Sequence, residues 1–190
     1  PLWTAPIAIA CGNTFVMKPS ERVPSTALRL AELWHQAGLP DGVFNIVNGA
    51  RETVDGILEH PGIKAVSFVG SQPVAEHIYA HGCAHGKRVQ ALAGAKNSMV
   101  VMPDAVLEKA VPNIISSAYG NAGERCLAGS VLVAVGGVAD EIVERLKEAA
   151  ASMKVGPGRE EGSELTPVIR DSHRDKVRSY IDLGEEEGAE

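Results

Sequence analysis

Over its first hundred residues the chain alternates short β-branched or apolar runs with stretches of helical periodicity, and this alternation restricts the fold more than any other feature. The runs are Thr14 to Met17, Val43 to Val47, Ile63 to Val69 and Arg88 to Ala93. Between them, Ser25 is placed to cap a helix to Ala37 whose Leu28, Leu30, Ala31, Leu33 and Trp34 form a broad apolar face. A second helix is expected from Glu52 to Glu59, ending before Pro61, and a third opens at Gly70-Ser71 and reaches Ala84. A short apolar helix, Pro6 to Cys11, precedes the first strand and is closed by Gly12 and Asn13. Connections this long exclude hairpins, so the strands are expected to pair in parallel through right-handed crossovers. The class is α/β, with a doubly wound parallel sheet and flanking helices.

The pattern changes after residue 95. Met99 to Met102 reads as a strand, and Asp104 is placed to cap a helix to Gly120 that Pro112 should kink or restart, since proline in a helix interior costs about 3 kcal/mol. The glycine-rich NAGERCLAGS (121–130) leads to a strand at Val131 to Val135, followed by helices from Asp140 to Ser152 and from a Ser172 cap onward. We therefore place a boundary near Lys96, with residues 1–95 and 96–190 as separate lobes.

Charge excludes one class of partner. The formal net charge is −6, and residues 159–190 hold five Lys and Arg against ten Asp and Glu, so the body is close to neutral. No clustered cationic face is available for nucleic acid. No apolar run approaches the roughly 18 residues of a membrane span, and the opening PLWTAPIAIACGN lacks the basic leader of a signal peptide. Three cysteines without framework spacing fit free thiols in a reducing compartment, cytoplasmic or the mitochondrial matrix. A chain that opens on Pro1 and stops at GEEEGAE is expected to be clipped at both ends.

Several positions have the residue types that chemistry requires. Gly70 and Ser71, between a strand and a helix, combine close backbone approach with the N–H groups of a helix start, as a phosphate site needs. The G-x-G-x-x-G fingerprint is absent, Ala75 standing where another glycine would be expected, and an ordinary strand–turn–helix reads the same way. Lys18 and Glu21 follow a strand, where open α/β sheets bind ligands, and have the donors and acceptors to meet ribose hydroxyls; a solvated turn is the alternative. Cys126 lies in a glycine-rich turn beside Arg125, a setting that favours the thiolate, although a structural thiol is equally compatible. His77, His81 and His85 recur every four residues with Cys83 nearby, but Gly82 falls among them and no acidic ligand is expected to share their face. We read a solvated helix face and assign no metal.

Taken together, GNTFVMKPSERVP (12–24), GLPDGVFNIVNG (38–49), SFVGS (67–71) and GNAGERCLAGS (120–130) resemble the aldehyde dehydrogenase superfamily across essentially the whole chain. HGKRVQALAGAKNSMVVMPDA (85–105) and GERCLAGS are similar to its acylating, coenzyme A-dependent branch acting on methylmalonate semialdehyde. The resemblance implies a Rossmann-like NAD-binding lobe in residues 1–95 and the start of a catalytic lobe in 96–190. It implies that Cys126 is the nucleophile, that its backbone N–H contributes to the oxyanion hole, and that Lys18, Glu21 and Arg22 lie at the adenosine ribose. Gly70 and Ser71 would face the pyrophosphate, Val74 would lie against the cofactor, and Ala93 would contact it near the nicotinamide. NAD is favoured over NADP, since Glu21 would repel a 2′-phosphate.

Two further positions bear on the substrate. Hydrolytic relatives have glutamate where this chain has Leu92, and leucine cannot activate water, so transfer of the acyl group to coenzyme A is expected instead. Arg125 matches a residue associated with the substrate carboxylate, and a guanidinium holds a carboxylate through two parallel hydrogen bonds. The implied substrate is a small semialdehyde bearing an acid group, the products acyl-CoA and carbon dioxide. Ser98 departs from the histidine frequent in the branch. The resemblance also places an oxyanion asparagine upstream of Pro1, a nicotinamide-ribose glutamate beyond Glu190, and part of a homo-oligomerisation hairpin outside the chain. Little dehydrogenase activity is therefore expected of the 190 residues alone, one oxyanion donor being worth about 10²–10³ in rate.

Overall fold

The computed structural model describes residues 2–189; Pro1 and Glu190, the ends named above, lie outside the described residues. It divides into two compact units, one reaching Gly94 and the other starting at Ala95. The elements run α1 (Ala5–Ala10), β1 (Phe15–Met17), α2 (Ser25–Gln36), β2 (Phe44–Ile46), α3 (Arg51–Glu59), β3 (Ala65–Gly70), α4 (Gln72–Ala84) and β4 (Arg88–Ala93) in the first unit. The second contains β5 (Asn97–Val101), α5 (Leu107–Tyr119), β6 (Gly129–Ala134), α6 (Ala139–Ser152) and α7 (Asp171–Glu186).

Every strand pair is parallel, β1 with β2, β3 with β4 and β5 with β6, and each pair encloses a helix, so the chain is built from three βαβ units. The expected pairing sense and α/β class hold. The doubly wound sheet is drawn differently: among the described residues the hydrogen-bonded pairings form three two-stranded sheets, with no ladder joining β1–β2 to β3–β4.

The first βαβ unit closes on aromatic side chains. Phe15 and Phe44 are register partners with ring centroids 5.9 Å apart, and Trp34 of α2 meets Phe44 edge-on at 4.5 Å. Trp34, Leu30 and Ala31 are half-buried and Ala27 is buried, whereas Leu28 and Leu33 are exposed, so the buried stripe of α2 is narrower than its composition implied. In the next unit α4 lies on β4 and α3, and the close approach depends on Gly82. A Cβ there would stand 2.8 Å from Val89 and 3.3 Å from Leu58. Buried Lys87 donates to the carbonyl oxygens of His60 (2.6 Å) and Ile63 (2.7 Å), tying the loop before β3 to the entry of β4. The second unit is centred on Val101, Leu107, Val111, Ile114, Val138 and Ile142, with Met99, Leu132 and Leu146 packed around them.

Three helix starts differ from expectation. Ser25 is already helical and Pro24 holds the cap position, Arg170 rather than Ser172 precedes α7, and α5 begins at Leu107 behind Val106, not at Asp104; none of these ends has a side-chain cap. α5 nevertheless runs unbroken through Pro112, where we expected a kink or restart. Proline there is the sixth helical residue, and Leu107, Val111 and Ile114 bury one continuous face across it, which offsets the bond that Glu108 loses.

Candidate active site

In parallel α/β units ligands bind beyond the carboxyl ends of the strands, and residues singled out from the sequence collect there. Gly70 and Ala93 end β3 and β4 and are register partners. Ser71 is the extended residue immediately before α4, and the exposed Val74 lies in its first turn. The Ser71 hydroxyl makes no cap bond, and Pro73 has no N–H to offer, so the first turn of α4 keeps its remaining amide donors free of any side-chain cap. Gly70 is glycine for a local reason: a Cβ there would run into the ring of Phe68.

Lys18 and Glu21 follow β1. The Lys18 ammonium donates to the carbonyl of Gly49 at 2.9 Å and to that of Pro19, and stands 3.8 Å from the Glu21 carboxylate. Two of its three protons are therefore held by the loops after β1 and β2, and the third lies alongside an exposed carboxylate. Arg22 is exposed on the same loop, its backbone N–H donating to Ser20 Oγ at 3.3 Å. Leu92 is 48% exposed and pairs with Val69, itself 51% exposed, on the face of β3–β4 where Ser67 bonds Gln90 at 3.2 Å.

Cys126 belongs to the second unit, is exposed, and is free, as are Cys11 and Cys83. The backbone leading to it is strained. Asn121 (φ 55°), Ala122 (φ 54°) and Gly123 (φ 71°) are three successive left-handed residues, and the alanine costs about 1–3 kcal/mol in that conformation. Such a segment persists only when its surroundings over-determine it. Here β5, α5 and α7 all hold it. Asn97 Nδ2 donates to the carbonyl oxygens of Cys126 (3.0 Å) and Ala128 (2.9 Å). Gly129 N–H donates to Ser117 Oγ at 3.2 Å, and Ala128 N–H closes a turn onto the Arg125 carbonyl at 3.0 Å. His173 of α7 lies 3.1 Å from the Glu124 carboxylate. Arg125 is exposed, and its guanidinium covers Gly120, where a Cβ would stand 3.1 Å from it. The result is a sulfur presented to solvent on a turn whose carbonyl oxygens are clamped from below, with a cation one residue away.

Sequence reasoning passed over Asn97 and Glu124. Asn97 lies within the GAKN stretch already quoted, and a polar side chain opening a strand was the available signal. The statement that no carboxylate meets the histidine face needs correction. Gly82 does not break α4, and α3 supplies the acids: Asp55 lies 2.7 Å from His77 and Glu59 lies 3.0 Å from His81. The His77 hydrogen bond, foremost among several causes, holds the Asp55 carboxyl below its ordinary value.

Comparison with known proteins shows which family the chain is part of. The chain is 65% identical over 189 residues to malonate-semialdehyde dehydrogenase 3 of Geobacillus kaustophilus, and 60% identical to malonate-semialdehyde dehydrogenase of Halalkalibacterium halodurans. It is matched over its full length in both and spans 39% of theirs. Among solved structures it superposes on methylmalonate-semialdehyde dehydrogenase from Oceanimonas doudoroffii with TM-score 0.92 and 52% identity, covering 99% of this chain and 39% of that one. A Sinorhizobium meliloti 1021 structure assigned to the same activity and complexed with NAD gives TM-score 0.92 at 48% identity, covering 99% and 38%. With residues 1–190 all matched by the family's model, the chain belongs to the aldehyde dehydrogenase family.

Proposed function

We propose that these residues serve the NAD-dependent, coenzyme A-acylating oxidation of malonate or methylmalonate semialdehyde, residues 1–95 contributing to the NAD-binding lobe and 96–190 to the catalytic lobe. The observation that carries the reading is Cys126, exposed on a clamped, left-handed turn beside Arg125. NAD fits the first unit: Gly70 and Ala93 open the strand ends, the start of α4 has unclaimed amide donors for phosphate, and Lys18 and Glu21 offer a donor and an acceptor to a ribose. When bound, NAD supplies the hydride acceptor.

The chain's own residues do the rest. The Cys126 thiolate attacks the aldehyde carbon, the new oxyanion is met by the Cys126 N–H, and Arg125 holds the substrate carboxylate by two hydrogen bonds. Oxidation leaves an acyl group on the sulfur. Leu92 has no basic atom with which to prime water, so the thioester persists until a coenzyme A thiol, more readily ionised than water, attacks it and releases Cys126. The substrate carboxylate leaves as carbon dioxide after acylation of the sulfur, the C–C electron pair passing to the carbon alpha to the thioester and being taken up by a proton, so malonate semialdehyde yields acetyl-CoA, carbon dioxide and NADH, and the methyl-substituted substrate yields propionyl-CoA. A homo-oligomer belongs to the same reading, and the exposed Leu2, Trp3 and Ile7 offer apolar surface for it.

The test is a hybrid in which this chain replaces the matching stretch of the Geobacillus kaustophilus relative. We expect acyl-CoA and NADH in equal amounts, and a loss of about 10⁴–10⁶ in turnover for Cys126→Ser, the size seen when a nucleophile is removed. Leu92→Glu should divert product toward free acid. Undiminished NADH from Cys126→Ser in a folded hybrid would overturn the assignment, and free acid as the main product of the unsubstituted hybrid would overturn the acyl-transfer step.

A further inference from the structure

Helices α3 and α4 run in the same direction, since Asp55 meets His77 and, one turn on, Glu59 meets His81. Their carboxyl ends therefore arrive together, Glu59 being the last residue of α3 and His81 and His85 lying in the last turn and cap of α4. Helix carboxyl ends have partial negative charge, so two of them beside a carboxylate form a place where a cation is favoured. The ligand atoms of Glu59, His81 and His85 all lie within 4.8 Å of one another. A tetrahedral zinc ion with bonds of roughly 2.0–2.2 Å needs donors about 3.3–3.5 Å apart, a closure within reach of side-chain rotation at a partly exposed site.

We propose that the carboxyl ends of α3 and α4 form a binding site for one divalent transition-metal ion, with Glu59, His81 and His85 as its protein ligands. His85 is already oriented for this. Its Nδ1 lies 2.8 Å from the His81 carbonyl oxygen, so Nδ1 holds the proton and Nε2 keeps the lone pair, the arrangement that metal-ligating histidines obtain from an outer hydrogen bond. The imidazole rings of His81 and His85 have centroids 4.5 Å apart, and His81 Nε2 already faces Glu59 Oε1 at 3.0 Å. Two imidazoles and one carboxylate select zinc, cobalt or nickel over calcium or magnesium. Three protein ligands leave further positions to water, and Leu58 beside Glu59 is fully buried against Gly82, so a bound ion would pin a packed helix pair. The site lies at the carboxyl ends of the helices and not at those of the strands, and its role is to fasten α3 to α4.

The untagged chain, with its three exposed cysteines alkylated so that no thiolate competes, is titrated with Co²⁺ and read by visible absorption and by thermal melting. We expect saturable uptake of one Co²⁺ per chain, displacement by Zn²⁺, and a melting temperature that rises with either ion. His81→Ala with His85→Ala should weaken uptake by more than the roughly 10–100-fold lost when an outer-shell partner is removed, Glu59→Gln should weaken it separately, and His35→Ala should leave it unchanged. Absence of saturable uptake, or uptake that survives in the His81→Ala, His85→Ala chain with native circular dichroism, overturns the proposal.

Discussion

The two units are held together differently. The second has a contiguous apolar cluster from Val101 to Ile142, with α5, α6 and β5 contributing to one centre. The first buries mostly small residues, Ala5, Ala27 and Ala75, with Leu58 and Ile78 the larger buried side chains, and relies on polar ties from Lys18, Lys87 and the two carboxylate–histidine rungs between α3 and α4. A strained loop needs a firm support, and the left-handed segment before Cys126 is hung from the unit that has one. The strand ends of the first unit are instead tied by lysine-to-carbonyl bonds, from Lys18 to Gly49 and from Lys87 to His60 and Ile63.

The comparison is most easily broken in the apolar cluster. Ile142→Ala removes a fully buried side chain and should cost about 2–5 kcal/mol, with hydrogen-exchange protection lost throughout α5, α6 and β5. Leu58→Ala should cost a similar amount but lower protection in α3, α4 and β4 only; protection falling equally in both units after either change would show that they do not open independently. Next in size are the polar ties. Lys87→Met strands the Ile63 carbonyl oxygen and leaves that of His60 with the Ile63 N–H alone, and should cost about 1–3 kcal/mol, read by denaturant unfolding. Asn97→Ala removes a donor from the Cys126 and Ala128 carbonyl oxygens, the latter keeping the Ser130 hydroxyl, and its larger effect should fall on Cys126: in the hybrid enzyme turnover should drop while far-UV circular dichroism stays unchanged. An Asn97→Ala hybrid of full activity would show that the clamp is dispensable.

The smallest effect separates the units by pH. The Asp55 carboxyl is lowered below its ordinary 3.8, chiefly by the His77 hydrogen bond, so the ionised form is favoured in the fold. Its stabilisation is complete above 3.8 and disappears as pH falls through the lowered value. Glu108 in the second unit behaves alike, held down first by its own backbone N–H and then by Arg145. Glu108 is exposed and Asp55 only half-buried, so each contribution is small and salt-sensitive. Acid titration followed by exchange should loosen α3 against α4 in the wild-type chain and less so in Asp55→Asn, while the cluster around Ile142 stays protected.

Much of this was readable before any coordinates. Strand positions, parallel pairing and the placing of Gly70 and Ser71 between a strand and a helix follow from local rules, because periodicity and chain connectivity leave few ways to join short apolar runs through helices, whereas Val74 and Ala93 were implied only by the family resemblance. Helix caps were misplaced by up to two residues, as at Asp104, since an oxygen-bearing side chain near a helix start is permissive and caps only where the backbone presents its N–H groups.

Sequence by itself determined the α/β class and the residue types available for thiol chemistry, each of which depends on what a residue is or on its near neighbours along the chain. Tertiary structure alone decided that Asn97 clamps the Cys126 turn from 29 positions away, that α3 brings Asp55 and Glu59 to a row of histidines 22 positions later, and that a proline can sit inside α5. The physical reason is common to all three: a hydrogen bond or a buried face depends on distance in space, and nothing in the order of residues states which distant groups will meet until the strands have paired and the helices have packed.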